Sequence, residues 1–346
     1  MIVNDVEIGA GKRPYIVAEM SGNHNGELDR ALALVDAAAD AGAHAIKIQT
    51  YTADTMTVDV KHPRFQISEG HELWGNEYLY QLYERAHTPW EWHQAIFERA
   101  RERGLTPFSS PFDRTAIDLL ESLDAPLYKI ASSEITDLPL VRGCASTGKP
   151  VIISTGMATL QEIAAAVDAA RGAGAKDIVV LSCTASYPAP PEHTNLRRIP
   201  VLAEALQLPI GLSDHTLGIG VPIASVAFGA CLIEKHLTMD RADGGVDSAF
   251  SLTPDELTAL VVESERAWQA LGTTSIGPTE AEKEGLRFRR SLYVVEDVRA
   301  GDAVTEQNVR SIRPTGGLAP DAIGMVLGRT FQQDAAKGTP LSWDLI

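Results

Sequence analysis

"CLIEKHLTMDRADGGVDSAFS", residues 231–251, decides the fold. It starts as a short apolar run of strand type, finishes in Glu234, Lys235 and His236, and then breaks at Gly244 and Gly245. Side chains alternate along a strand, so Glu234 and His236 share one face while Ile233 and Lys235 share the other. A buried strand that ends in ionisable groups is what a parallel β/α barrel requires, because its working residues gather at the C-terminal strand ends.

Seven further runs read the same way: YIVAE from Tyr15, AIKIQT from Ala45, LTPFSS from Leu105, LYKIA from Leu127, VIIST from Val151, IVVLSC from Ile178 and PIGLSD from Pro209. Helix-like segments such as ELDRALALVDAAADAG, WEWHQAIFERARERG and TLQEIAAAVDAARGAG separate them, closing on glycine where a left-handed cap is expected. Eight such repeats in roughly 270 residues match an α/β fold of the (β/α)₈ TIM-barrel type. A doubly wound open sheet fits less well. No GxGxxG follows the first strand, and polar groups end every strand, whereas that fold gathers them at one switch point. The expected domains are a barrel over residues 1–272, a polar linker over 273–290 and a small strand-and-turn module over 291–346. So small a module has little core of its own and is expected to lean on a partner surface.

The 346 residues carry a formal charge of −16, which repels nucleic acid and anionic membrane alike. An anionic ligand must therefore be captured by a local positive cluster. No apolar run approaches the roughly 20 residues that span a bilayer, and the N-terminus lacks a signal-peptide core, so a cytoplasmic location is expected. The three cysteines, Cys144, Cys183 and Cys231, form no CxxC pair and read as buried free thiols.

The strand ends supply Glu19, Lys47 with Gln49, Ser109 and Ser110, Lys129, Ser154 with Thr155, Thr184, Asp214 with His215, and the Glu234–His236 trio. Lys47 and Lys129, with hydroxyls from Ser110, Ser132, Ser154 and Thr184, are suited to a phosphate and a carboxylate. Two other readings stand beside this one: lysines paired structurally with Glu19 or Glu134, or a desolvated lysine acting as a Schiff-base nucleophile. His215 and His236 fall on adjacent strands, where two imidazoles plus a carboxylate from Glu234, Asp247 or Glu134 form an open site for Mn²⁺, Mg²⁺ or Zn²⁺. His24, His87 and His93 have no such companion and read as structural. The long excursion from Tyr51 to Pro89 reads as a lid over the barrel mouth.

The motifs AEMSGNHNG, KIQTYTADTMT, HTPWEWH, PFSSPFD, YKIASSEI, ISTGMAT, YPAPPE, GLSDHTLG, EKHLT, DGGVDSAFSL, GPTEAEK and RRSLYV, in this order along the whole chain, resemble the bacterial sialate-type synthase family, its pseudaminic acid branch most closely. The resemblance implies a barrel followed by an antifreeze-like SAF domain, in a domain-swapped homodimer. It also implies condensation of phosphoenolpyruvate with an open-chain N-acetylated amino sugar, releasing phosphate by C–O cleavage. The branch implies 2,4-diacetamido-2,4,6-trideoxy-L-altrose as that sugar; the alternatives give N-acetylneuraminic or legionaminic acid. Carried over by motif, Lys47, Ser110, Lys129, Ser132, Ser154 and Thr184 would hold phosphoenolpyruvate. His215 and His236 would bind a divalent metal, Mn²⁺ first, with Mg²⁺ or Co²⁺ as alternatives. Glu19 and Glu134 would orient or deprotonate a water. Gln49, Tyr187, Asp247 and Arg313 would contact the sugar, Asp247 swinging over it on its glycine-flanked loop and Arg313 reaching from the partner.

Overall fold

The computed structural model describes residues 1–68 and 73–346. The chain divides into two units, Met1–Gly272 and Thr273–Ile346.

The larger unit begins with a two-strand antiparallel hairpin, β1 (Ile2–Val3) and β2 (Val6–Glu7). Eight parallel strands follow: β3 (Tyr15–Glu19), β4 (Ala45–Thr50), β5 (Thr106–Pro111), β6 (Tyr128–Ile130), β7 (Val151–Ser154), β8 (Ile178–Cys183), β9 (Ile210–Asp214) and β10 (Leu232–His236). Each pairs with the next and β10 closes on β3, so the expected TIM-type barrel forms from the eight expected runs.

Strand alternation sorts their side chains into two cores. Ile16, Ile46, Ile48, Ile130, Ile153 and Ile233 pack outward against the helices. Val17, Ala45, Phe108, Ile152, Val179 and Leu232 fill the barrel, with Val3 and Ile8 of the N-terminal segment packed on them. Each fully buried side chain of this size contributes about 1.5–3 kcal/mol. Gly211 keeps β9 against its neighbours, since a Cβ there would lie 2.5 Å from the Leu232 carbonyl oxygen and 2.6 Å from the Leu181 side chain.

The helices are α1 (Leu28–Asp40), α2 (Ala53–Met56), α3 (Leu79–Ala86), α4 (His93–Glu102), α5 (Arg114–Ser122), α6 (Leu138–Ala145), α7 (Leu160–Gly172), α8 (Arg198–Leu206), α9 (Gly220–Ala227) and α10 (Pro254–Leu271). Thr159 with Glu162 and Thr253 with Glu256 form reciprocal capping boxes that start α7 and α10 directly after strand ends or their loops. The excursion after β4 carries α2 and α3; residues 69–72 of the expected lid lie outside the described residues.

The smaller unit pairs β11 (Ser291–Val294) with β12 (Val309–Ile312) and adds one short helix, α11 (Ile323–Val326). It encloses a core of its own, including Leu292, Val294, Val309, Val326, Phe331 and Leu341. Within the segment read as a plain linker, Glu280–Phe288 forms a 3₁₀ helix whose start is tied by Thr279 and Glu282. The Arg287 carbonyl accepts the Thr315 amide at 2.9 Å, so this stretch is ordered onto the small unit.

Candidate active site at the strand ends

β3, β4, β6 and β10 bring two carboxylates and two lysines into one alternating row inside the barrel, Glu19, Lys47, Glu234 and Lys129. Lys47 Nζ is 2.6 Å from Glu19 Oε2 and 3.7 Å from Glu234 Oε1. Lys129 Nζ is 3.5 Å from that same Glu234 oxygen, which also accepts from Ser213 Oγ at 3.1 Å. Lys129 therefore pairs with Glu234 and not with Glu134, which lies beyond the strand on the Ser132–Glu134 turn. Burial raises the Glu19 carboxyl more than Lys47 lowers it. For Glu234, burial is outweighed by Lys129 and Lys47, and the carboxyl is held down. Burial pulls both lysines down; the two carboxylates reverse this for Lys47 but not for Lys129.

Beside this quartet, the hydroxyls of Ser110 and Ser154 are buried and have no hydrogen-bond partner. Leaving such groups unpaired costs about 1–3 kcal/mol each, which a bound ligand would recover. They face a cavity of about 60 Å³ lined also by Lys47, Lys129, Ser132 and Ser213. Thr184 is not part of it. Its Oγ1 donates to the His193 carbonyl at 3.2 Å, because the chain turns outward just past β8.

At the rim of β9 and β10, the His215 and His236 rings are 5.3 Å apart between centroids. His215 Nδ1 donates to the Thr184 carbonyl at 3.0 Å, which in the neutral ring puts the lone pair on Nε2. His236 Nδ1 is buried without a hydrogen bond, 3.6 Å from Asp247 Oδ2. Burial, with His215 and the lysines nearby, pushes the His236 imidazole well below its ordinary range, so it is neutral, the form that binds metal. Burial also lowers His215, but Cys183, 3.9 Å away, and the Thr184 carbonyl outweigh it.

Among the described residues no group of three or more acidic, histidine or cysteine side chains is placed to hold a metal ion. The carboxylate expected beside the two imidazoles does not complete such a group: Glu234 turns to the lysines, and Asp247, 3.6 Å from His236 Nδ1, accepts from Ser21 Oγ. An orphaned imidazole nitrogen beside a second imidazole still fits an open two-histidine site completed by water or substrate oxygens.

Above lies a pocket of about 410 Å³. One side presents Gln49, Ser132, Glu134, Tyr187, His236 and Asp247; the excursion and its surroundings supply an apolar wall including Tyr51, Met56, Leu82, Tyr83 and Phe112. Gln49 Nε2 donates to Glu19 Oε1 at 3.0 Å. The Tyr187 ring is 4.4 Å from that of His215. Burial lifts the Glu134 carboxyl to about 7.

Asp247 is held in place by its backbone contacts. Its amide donates to Asn23 Oδ1 at 3.2 Å, its carbonyl accepts from Ser251 Oγ at 2.7 Å, and a Cβ on Gly245 would come within 2.8 Å of Asn23 Oδ1. Arg313 is an exposed residue of the smaller unit. His24 and His93 are buried in local hydrogen bonds, His24 to the Gly26 amide and His93 to Thr50 and the Pro89 carbonyl. Sequence reasoning passed over Ser213, although it stands two residues before His215 on the same strand face. It also passed over Ser21, Asn23 and Trp74, whose Nε1 donates to the Val246 carbonyl at 3.1 Å.

The sequence matches the NeuB family over residues 34–275 and the SAF domain over residues 289–346. Along 95% of its length it is 42% identical to the pseudaminic acid synthase of Campylobacter jejuni, spanning 96% of that protein. Along 98% it is 37% identical to the N,N'-diacetyllegionaminic acid synthase of Legionella pneumophila, spanning 96%. The N-acetylneuraminic acid synthetase of Leptospira borgpetersenii, solved with citrate, superposes with a TM-score of 0.74 at 33% identity, over 84% of this chain and 95% of that one.

Proposed function

We propose, proceeding from the fact that this chain belongs to the NeuB family, that it condenses phosphoenolpyruvate with 2,4-diacetamido-2,4,6-trideoxy-L-altrose to give pseudaminic acid and phosphate. The observation that carries this reading is the set of unpartnered Ser110 and Ser154 hydroxyls beside Lys47 and Lys129, directly below an imidazole nitrogen with no protein partner. The 42% identity to a pseudaminic acid synthase supports the choice of sugar, ahead of the 37% to a legionaminic acid synthase.

Lys47, Lys129, Ser110, Ser132 and Ser154 bind phosphoenolpyruvate through its phosphate and carboxylate, and Ser213 joins them. His215 and His236 hold the divalent cation, Mn²⁺ by preference. When bound, that cation supplies Lewis-acid polarisation of the sugar aldehyde. Gln49, Tyr187 and Asp247 orient the sugar so that its C1 faces C3 of phosphoenolpyruvate. The new C–C bond leaves a cationic C2, which takes up a water; the C2–O bond to phosphate then breaks, and the lysines stabilise the departing anion. Glu134, with its carboxyl lifted to about 7, accepts the proton of that water. Glu19, fixed between Lys47 and Gln49, serves to place those two side chains. The protein works as a domain-swapped homodimer, with Arg313 of each SAF domain reaching the sugar in the partner's barrel, and it acts in the cytoplasm. No helix of the described residues is long and apolar enough to cross a membrane.

Phosphate release in the presence of phosphoenolpyruvate and Mn²⁺ separates the sugars. The altrose derivative is expected to support turnover at least tenfold better, in kcat/KM, than N-acetylmannosamine or the diacetamido sugar leading to legionaminic acid. Turnover with N-acetylmannosamine alone would place the protein in the N-acetylneuraminate branch.

A further inference from the structure

The two imidazoles are flanked on the opposite face of the same strands by an ion pair that the chemistry above does not use. β9 and β10 run in a register that pairs Asp214 with Lys235, one residue before His215 and His236 respectively. Lys235 Nζ donates to Asp214 Oδ2 at 2.7 Å and to the Thr216 carbonyl. Asp214 in turn accepts from the Thr216 amide at 3.3 Å and from its hydroxyl at 2.9 Å. Lys235 is 1% exposed, Asp214 2% and Thr216 0%. His215 is therefore bracketed on both sides by groups bonded to the residue preceding His236.

A buried ion pair contributes little net stability over an apolar pair of the same volume, and its best-attested use is to fix register. Here a slip of one residue in either strand would leave a buried charge unpaired and turn one imidazole away from the other. We propose that Asp214 and Lys235 are positioning residues that clamp His215 and His236 at the spacing needed to share one divalent cation. This rests on the two-histidine site proposed above.

Mn²⁺ binding, followed by the loss of the free-ion electron paramagnetic resonance signal on titration of the full-length protein, tests it. Wild-type protein is expected to bind one Mn²⁺ per chain, and His236→Ala none. The double variant Asp214→Asn/Lys235→Met leaves no buried charge unpaired and is expected to fold, by circular dichroism, while binding Mn²⁺ about 10–100-fold more weakly, the usual cost of losing a group that orients a ligand. Asp214→Asn alone keeps an uncharged acceptor in place and is expected to fall between the two. Wild-type Mn²⁺ affinity in a folded double variant, or in Asp214→Asn if the double variant does not fold, overturns the clamp. Absence of Mn²⁺ binding by the wild-type protein overturns the histidine site itself.

Discussion

His236 brings most of the chemistry to one atom. Its Nδ1 is buried, neutral and without a hydrogen bond, while the ring packs on Phe250 and His215. Truncation removes an unsatisfied buried nitrogen but also that packing, so His236→Ala is expected to stay folded with a melting temperature within a few degrees of wild type, and to lower turnover by more than the roughly 10–100-fold that changes around a metal ligand cost. Turnover and circular dichroism on the same preparation check both. Glu134 gives a second test. Partial burial lifts its folded carboxyl from the ordinary 4.5 to about 7. The base form thus accumulates as pH rises through about 7, and kcat should rise along that limb. By the same sign, the stability that goes with the protonated carboxyl is whole below about 4.5 and is lost as pH rises to about 7. Glu134→Gln is expected to lose the pH limb, to lose about 10²–10⁴-fold in kcat and to flatten the stability slope in that window. A wild-type pH–rate profile in this variant would remove Glu134 from proton transfer.

At the scale of elements, the eight barrel strands were legible because strands buried on both faces read as short apolar runs, and their polar ends stand out against them. The hairpin of β1 and β2 was not, since two-residue strands carry no period. Alternation also told which groups share a face, Glu234 and His236 on β10. It did not tell who pairs with whom, because Lys129 finds Glu234 across 105 residues and Asp247 finds Asn23 across 224. The glycines before Asp247 looked like hinges; Gly245 proves to be the place where the loop packs on Asn23, with no room for a Cβ. Gly245→Ala is expected to cost roughly 1–3 kcal/mol in stability through overpacking. It should raise KM for the sugar through displacement of Asp247, with KM for phosphoenolpyruvate unchanged. Equal rises in both constants would mean that the loop serves the whole cavity and not the sugar alone.

Over the whole molecule, a protein with a charge of −16 buries two lysines at its strand ends, so in the proposed reading affinity for the anionic substrate resides in the cavity and not in the surface field. The second unit has its own core, and the role given to Arg313 requires two chains. Mixing Arg313→Ala with His236→Ala protein tests this. In a swapped dimer each mixed pair rebuilds one complete site, the barrel of one chain with Arg313 of the other. Unfolding and refolding the two inactive proteins together should then restore roughly a quarter of the wild-type sites. No recovery, with mixed dimers demonstrated by mass, would mean that Arg313 serves its own barrel or none.

The most direct test of the condensation is the fate of one oxygen. The full-length protein is supplied with Mn²⁺, 2,4-diacetamido-2,4,6-trideoxy-L-altrose and phosphoenolpyruvate carrying ¹⁸O in its C–O–P bridge, and both products are weighed by mass spectrometry. The expected result is pseudaminic acid without the label and phosphate with it, because C2–O cleavage leaves the bridging oxygen on phosphorus. Label in the keto acid, or no nine-carbon product from this sugar, would contradict the proposed reaction.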